Sequence, residues 1–194
     1  MEEGSAGAIT ATGKRRRFTV GDYHRMAEAG ILGRDDRVEL LDGAVVEMAP
    51  IGPLHAGHVN RLTALFTGRL GSRAVVSVRN PVVLSGYSEL QPDLVLLRPR
   101  ADFYTNAHPQ PPDILLIVEV ADTTAALDRR VKVPLYAAAG VREVWLLDLP
   151  TEGLEVYRDP TAGGYRDARV LARGERLAPQ AFPDLTLEVS NLLG

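Results

Sequence analysis

The hydrophobic positions of this chain change period several times, and each change marks an element. In "FTVGDYHRMAEAGIL" the spacing is that of a short helix, with Thr19 placed as the cap, Asp22 three residues on and Gly30 as the stop. "RVELLDGAVVEM" holds two β-rich runs around Asp42-Gly43, the dipeptide suited to a type I′ turn, which predicts a hairpin. "LHAGHVNRLTALFTGRL" returns to helical spacing through Leu54, Val59, Leu62, Leu65, Phe66 and Leu70. "AVVSVRNPVVL" reads as a strand interrupted or bent at Asn80-Pro81, and "LQPDLVLLR" as a strand entered through a proline.

A proline-rich loop then leads to "DILLIVEV", residues 113–120, whose apolar run is nearly continuous. "TTAALDRRVKVPLYAAAG" follows as a helix, with Leu127, Val131, Leu135 and Ala138 on one face and Gly140 at its end. Pro134 removes a backbone donor inside that pattern, so the helix is bent or begins later than the spacing implies. "REVWLLD" is a further strand, and "GLEVYRD" with "GGYRDARVL" forms a closing hairpin. Strand, helix and strand across residues 113–148 predict a βαβ unit in a sheet covered on both faces, and the hairpins make that sheet mixed. The fold class is α/β.

Composition narrows this further. At 194 residues and 45% hydrophobic content the chain buries a full core, and its length favours one domain over residues 18–194. Residues 1–17 read as a disordered polar tail ending in Lys14, Arg15, Arg16 and Arg17, either solvated or an arm that touches phosphate. Cysteine is absent, which excludes disulfides and thiolate metal sites. A formal charge of −3 argues against coating nucleic acid by charge alone, though not against meeting it locally through a metal and a few basic groups. No apolar run reaches the roughly 18 residues of a membrane span, and the N-terminus has no apolar signal segment, so a cytoplasmic protein is expected.

Three polar residues stand out against the apolar pattern. Glu119 follows five strand-type apolar residues, and burying an ionised carboxylate costs several kcal/mol or more unless something compensates. Asp93 opens the apolar strand "DLVLL", and Lys132 lies 13 residues beyond Glu119 in the helix. If the two strands are neighbours, the carboxylates converge and repel unless a cation lies between them. Such a hard oxygen site suits Mg²⁺ or Mn²⁺, and a nearby lysine orients water or neutralises phosphoryl charge. Each residue also has a plainer reading. Asp93 could be a turn residue after Pro92, Glu119 a solvated or Arg-paired group at a strand mouth, and Lys132 a surface partner of Asp128 at i, i+4.

The order of "VELLDGAVVEMAP", "LHAGHVNRL", "QPDLVLL", "PPDILLIVEV", "DRRVKVPLYAAAGVREVWLLD" and "GLEVYR" resembles the Uma family of predicted endonucleases, from about Phe18 to the C-terminus. That family was long known as a domain of unknown function and belongs to the PD-(D/E)XK superfamily. The resemblance implies a restriction-endonuclease-like mixed β-sheet core flanked by helices, with an N-terminal helix and hairpin. It also implies an endonuclease using Mg²⁺ or Mn²⁺ on nucleic acid, DNA being the expected substrate and a homodimer being compatible. By the same resemblance Asp93 and Glu119 match the two acidic positions. Ala121 stands where the motif has lysine, so Lys132 takes that part from the helix. Glu39 matches an early acidic position, as a further metal ligand, a supporting group or simply a cross-strand partner. His55, Gln91 and Tyr136 are candidate supporting groups, and Tyr136 and Asp148 fall on pattern positions. His58, one turn after His55, makes a His-x-x-His pair that lacks a third zinc ligand. The rival reading keeps the fold as a non-catalytic dimerising or nucleic-acid-binding module.

Overall fold

The computed structural model of the chain describes residues 15–33 and 35–194, so residues 1–14 of the expected tail, Lys14 included, lie outside the described residues. The first helix, α1 (Val20–Glu28), begins with the expected capping box: the Thr19 hydroxyl accepts from the Asp22 amide, and the Asp22 carboxylate accepts from Thr19. The hairpin of β1 (Val38–Leu41) and β2 (Ala44–Glu47) turns through Asp42 and Gly43, both at positive φ, as a type I′ turn requires. The long helix α2 (Pro53–Leu70) buries Val59, Leu62, Phe66 and Leu70 along one stripe, while Leu54 stays exposed.

The stretch around Asn80-Pro81 is a crossing between two sheets. β3 (Val75–Val78) pairs with β6 (Leu94–Leu97), whereas β4 (Val82–Ser85) pairs with β5 (Ser88–Leu90) in a different sheet. Both halves are apolar and β-branched, so the sequence alone reads as a strand interrupted or bent there; the pairing partners make it an interruption. β7 (Ile114–Ala121) and β8 (Glu143–Asp148) form the expected parallel pair, and β9 (Gly153–Thr161) and β10 (Gly164–Leu171) the closing hairpin. The large sheet has the order β10-β9-β8-β7-β6-β3 and is mixed; the small one runs β2-β1-β5-β4. A short pair, β11 (Arg176–Leu177) and β12 (Leu187–Glu188), and α5 (Val189–Leu193) complete the described chain.

Both faces of the large sheet are covered, which is why β7 and β8 read as unbroken apolar runs. On one face, Leu94, Leu96, Leu116, Val118, Trp145 and Leu147 pack under α2 and α5. On the other, Val95, Leu97, Ile114, Ile117 and Val144 pack with Leu41 of the small sheet and with Val133 and Tyr136 of the crossover helix. The site is built on this second face.

Pro134 determines how the crossover helix is wound. A short α3 (Ala125–Leu127) leads into a π-helical stretch, Asp128–Lys132, and then α4 (Val133–Ala138), with the proline in the first turn of α4. In the widened turn the Val133 amide bonds the Asp128 carbonyl five residues back. The widened turn accommodates Pro134, whose ring and missing N–H would disrupt a regular α-helix, so the helix continues through it. The residue immediately before this joint is Lys132. No helix among the described residues is long and apolar enough to cross a membrane.

Candidate active site

Register and pleat bring the two acidic residues together. Leu94 lies opposite Val118 in the antiparallel β6–β7 pair, so Asp93, one residue before β6, falls opposite Glu119. Side chains alternate along a strand, and Asp93 and Glu119 therefore share the face of Val95 and Ile117. The two residues are interlocked: the Asp93 amide donates to Glu119 Oε2 at 3.3 Å, and the Val120 amide donates to Asp93 Oδ2 at 3.0 Å. Asp93 is thus a cross-strand partner at a strand entrance, and Glu119 is buried at 3% exposure within β7.

The crossover helix supplies the cation. Lys132 Nζ lies 3.2 Å from Glu39, 3.5 Å from Glu119 Oε1 and 3.9 Å from Asp128, and all four side chains are buried. Its pairing with Asp128 at i, i+4 is therefore one part of a buried cluster. Tyr136, one turn on, donates from its hydroxyl to Glu119 Oε1 at 2.6 Å, so it meets the carboxylate where the sequence pointed to the lysine. Glu39 comes from the small sheet, on the same face of β1 as Leu41, and also accepts the Gln91 backbone amide at 2.7 Å. Gln91 reaches the cluster through that amide, and both residues line the same pocket.

His55, in the first turn of α2, bonds Asp93 Oδ2 through Nε2 at 2.9 Å. Arg79 donates to the other ring nitrogen, Nδ1, at 2.7 Å, so the ring proton lies on Nε2 and is donated to Asp93. His58 bonds the carbonyls of Leu54 and Leu193 instead, tying α2 to the C-terminus, and takes no part in the cluster. Asp148 pairs with Arg129 and lies outside the pocket lining. Arg79 carries no motif, and residue spacing alone gives Asp128 only as a surface partner of Lys132. The i, i+4 spacing to Lys132 was the signal for Asp128; nothing local marked Arg79.

Electrostatics set the state of these groups. Burial raises the Glu119 carboxyl to about 8, opposed by Lys132 and reinforced by Asp128, Asp93 and Glu39. Burial also raises Asp128 above the ordinary carboxylate range, with Lys132 and the Thr124 hydroxyl pulling the other way. Burial alone would lower Lys132, but Glu119, Glu39 and Asp128 outweigh it and hold the ammonium protonated well above its usual range. The Tyr136 hydroxyl is raised by burial and by Glu119 beside it, and remains a donor.

The donor set fits a hard divalent cation of the kind that keeps several waters. Among the described residues no three His, Asp or Glu side chains gather as a complete metal cage. Two carboxylates meet in a cavity of about 80 Å³, room for an ion that draws its remaining ligands from water and phosphate, as Mg²⁺ does. A Glu119 carboxyl whose charge is suppressed by its surroundings is a group that a cation would bring back to its ionised form.

Comparison with known proteins agrees with this architecture. The Uma2 family model, described as "Putative restriction endonuclease", matches residues 20–190. Among solved structures, a protein from Anabaena variabilis ATCC 29413, titled a "putative nuclease belonging to DUF820", superposes with a TM-score of 0.70. It is 13% identical, and the match covers 91% of this chain and 97% of that one, which establishes a shared fold. No curated protein matches the chain. With nearly the whole chain inside the family model and a restriction-endonuclease-like architecture beneath it, this chain belongs to the Uma2 family.

Proposed function

We propose that the chain is a divalent-metal-dependent endonuclease that hydrolyses phosphodiester bonds, with DNA as substrate. Its family and its fold are those of nucleases. The observation that carries the reading is the meeting of Asp93 and Glu119 on adjacent strands, with Lys132 at 3.5 Å from Glu119, in one cavity. Asp93 and Glu119 are the residues to hold Mg²⁺ or Mn²⁺. Glu39 completes the carboxylate set, and its contacts with Lys132 and the Gln91 amide make it the lysine's clamp as well. Bound there, the ion supplies Lewis acidity that neutralises phosphoryl charge and makes water a better nucleophile.

The protein's own groups do the rest. Lys132 is held protonated, which suits it to orient the attacking water and to offset negative charge at the phosphate, and unsuits it to take a proton. Tyr136 and the Asp93 amide fix the Glu119 carboxylate from two sides. His55 and the Val120 amide fix Asp93. The test is nicking of supercoiled plasmid in Mg²⁺ or Mn²⁺ by the parent and by Asp93→Ala, Glu119→Ala and Lys132→Ala. Each variant should lose activity by two orders of magnitude or more, a range set by transition-state charge stabilisation of about 3 kcal/mol. Variants that nick as well as the parent would sink the assignment.

One observation favours a second reading, a non-catalytic nucleic-acid-binding or dimerising module. Asp93 is paired with Arg79 and Glu119 with Lys132, so the protein's own cations face both carboxylates. Calorimetry with Mn²⁺ separates the two, since a relic site would show no binding that depends on Asp93 and Glu119.

A further inference from the structure

Arg79 lies where the chain leaves β3 of the large sheet and crosses to β4 of the small one. Its φ is 53°, in the left-handed region that costs a residue with a Cβ about 1 kcal/mol or more. Its amide is tied to the Asp93 carbonyl at 3.3 Å, so the unusual backbone is anchored directly to the acidic strand entrance. The guanidinium reaches into the pocket, 26% exposed, with one nitrogen 2.7 Å from His55 Nδ1 and 3.4 Å from Asp93 Oδ1. Its Nε and other terminal nitrogen meet no acceptor among the described residues.

The other cations of the pocket wall are differently placed. Lys132 is enclosed by three carboxylates with 9% of its side chain exposed, and Arg37 donates to the Ala49 carbonyl. Arg37 and Arg79 both line the pocket and retain donors among the described residues, but Arg79 is the one of the two that touches His55 and Asp93. Holding His55 in its tautomer takes one N–H; a planar fork with further N–H groups beside a solvent-reachable carboxylate is the chemistry of phosphate recognition.

We propose that Arg79 is a substrate-binding residue whose guanidinium receives a non-bridging oxygen of the phosphodiester. Its 3.4 Å pairing with Asp93 Oδ1 would be weakened if a divalent cation held at Asp93 and Glu119 offset that charge, which would free the guanidinium for the phosphate oxygen. The inference rests on reading the pocket as a phosphodiester site, and adds a contact that the acidic residues and Lys132 do not supply.

The test compares the parent with Arg79→Asn, which suits the left-handed backbone and removes the guanidinium, and with Arg79→Lys, which keeps the charge. Thermal unfolding checks that both fold. Binding of a fluorescent 20-base-pair duplex is measured by anisotropy in Ca²⁺ across a salt series, alongside Mn²⁺ calorimetry and plasmid nicking in Mn²⁺. Loss of one phosphate contact should weaken duplex binding by Arg79→Asn about tenfold and lower the slope of log K against log salt by about one. Mn²⁺ affinity should stay within about threefold of the parent, and Arg79→Lys should keep the parent's slope. An unchanged slope in Arg79→Asn overturns the proposal, including the case in which Mn²⁺ affinity alone falls, since Arg79 then serves only to hold Asp93. A parent that nicks plasmid while Arg79→Asn binds and nicks equally well overturns this inference and leaves the nuclease reading intact. A parent that binds duplex with the expected slope change but never nicks overturns the catalytic reading and supports the Arg79 contact. A parent that binds no duplex at any salt overturns both.

Discussion

Replacing Glu119 by glutamine removes the one carboxyl that the metal-free fold holds most reluctantly as an anion. In the folded chain its pKa is about 8, against 4.5 for a free side chain. The folded protein therefore keeps this proton across a range in which the unfolded chain has released it. The stabilisation from protonation is complete below about pH 4.5 and is lost as pH rises through about 8. Above that, the parent carries a charged carboxylate at 3% exposure, and the Glu119→Gln protein does not. The gap of about 3.5 pH units, at about 1.4 kcal/mol each, sets a ceiling of roughly 5 kcal/mol. Lys132 loses one of its three carboxylate neighbours in the variant, which offsets part of this, so the expected net gain is about 2 kcal/mol. For a chain of this size that is a melting temperature about 4–8 °C above the parent's. The assay is thermal unfolding in EDTA from pH 5 to pH 9, where the difference should be near zero at pH 5 and grow through pH 8. Mn²⁺ should reverse the order, because only the parent gains binding free energy, about 2.7 kcal/mol at one hundred times Kd. A variant less stable than the parent at pH 9 in EDTA, or a difference that does not grow with pH, would refute the reasoning.

Tyr136→Phe removes the donor to Glu119 Oε1, so the metal-free protein should lose about 1–3 kcal/mol. The Glu119 carboxyl should titrate higher still, moving the midpoint of pH-dependent Mn²⁺ binding upward, as calorimetry over a pH series would record. Glu143, fully buried, accepts from Arg158, the Trp145 indole and the Gln180 amide at once. Glu143→Ala should cost about 3–5 kcal/mol in urea unfolding, since it strands a partly buried guanidinium, yet it should leave Mn²⁺ affinity of the folded protein unchanged.

Some of this protein could be determined from residue order because the relevant physics is local. The capping box at Thr19 and Asp22, the Asp42-Gly43 turn, the α2 stripe from Val59 onward and the covered β7 and β8 are matters of neighbours within a few positions, and each stands in the structure where the pattern put it; Leu54, at the start of the α2 pattern, is exposed. Glu119 was conspicuous for the same reason, an acid inside an apolar run. Which partners it meets was decided elsewhere. The β6–β7 register sets Asp93 opposite it, a π-helical turn before Pro134 carries Lys132 into the cluster, and the crossing from β3 to β4 presents Arg79. Asp93 and Glu119 are 26 positions apart in the chain and Lys132 and Glu39 are 93 apart, while the placing of Arg79 depends on a backbone conformation that arginine gives no sign of adopting. The sequence marked the misplaced charge. Tertiary structure chose its company, because strand pairing and helix winding are set by the packing of the whole core.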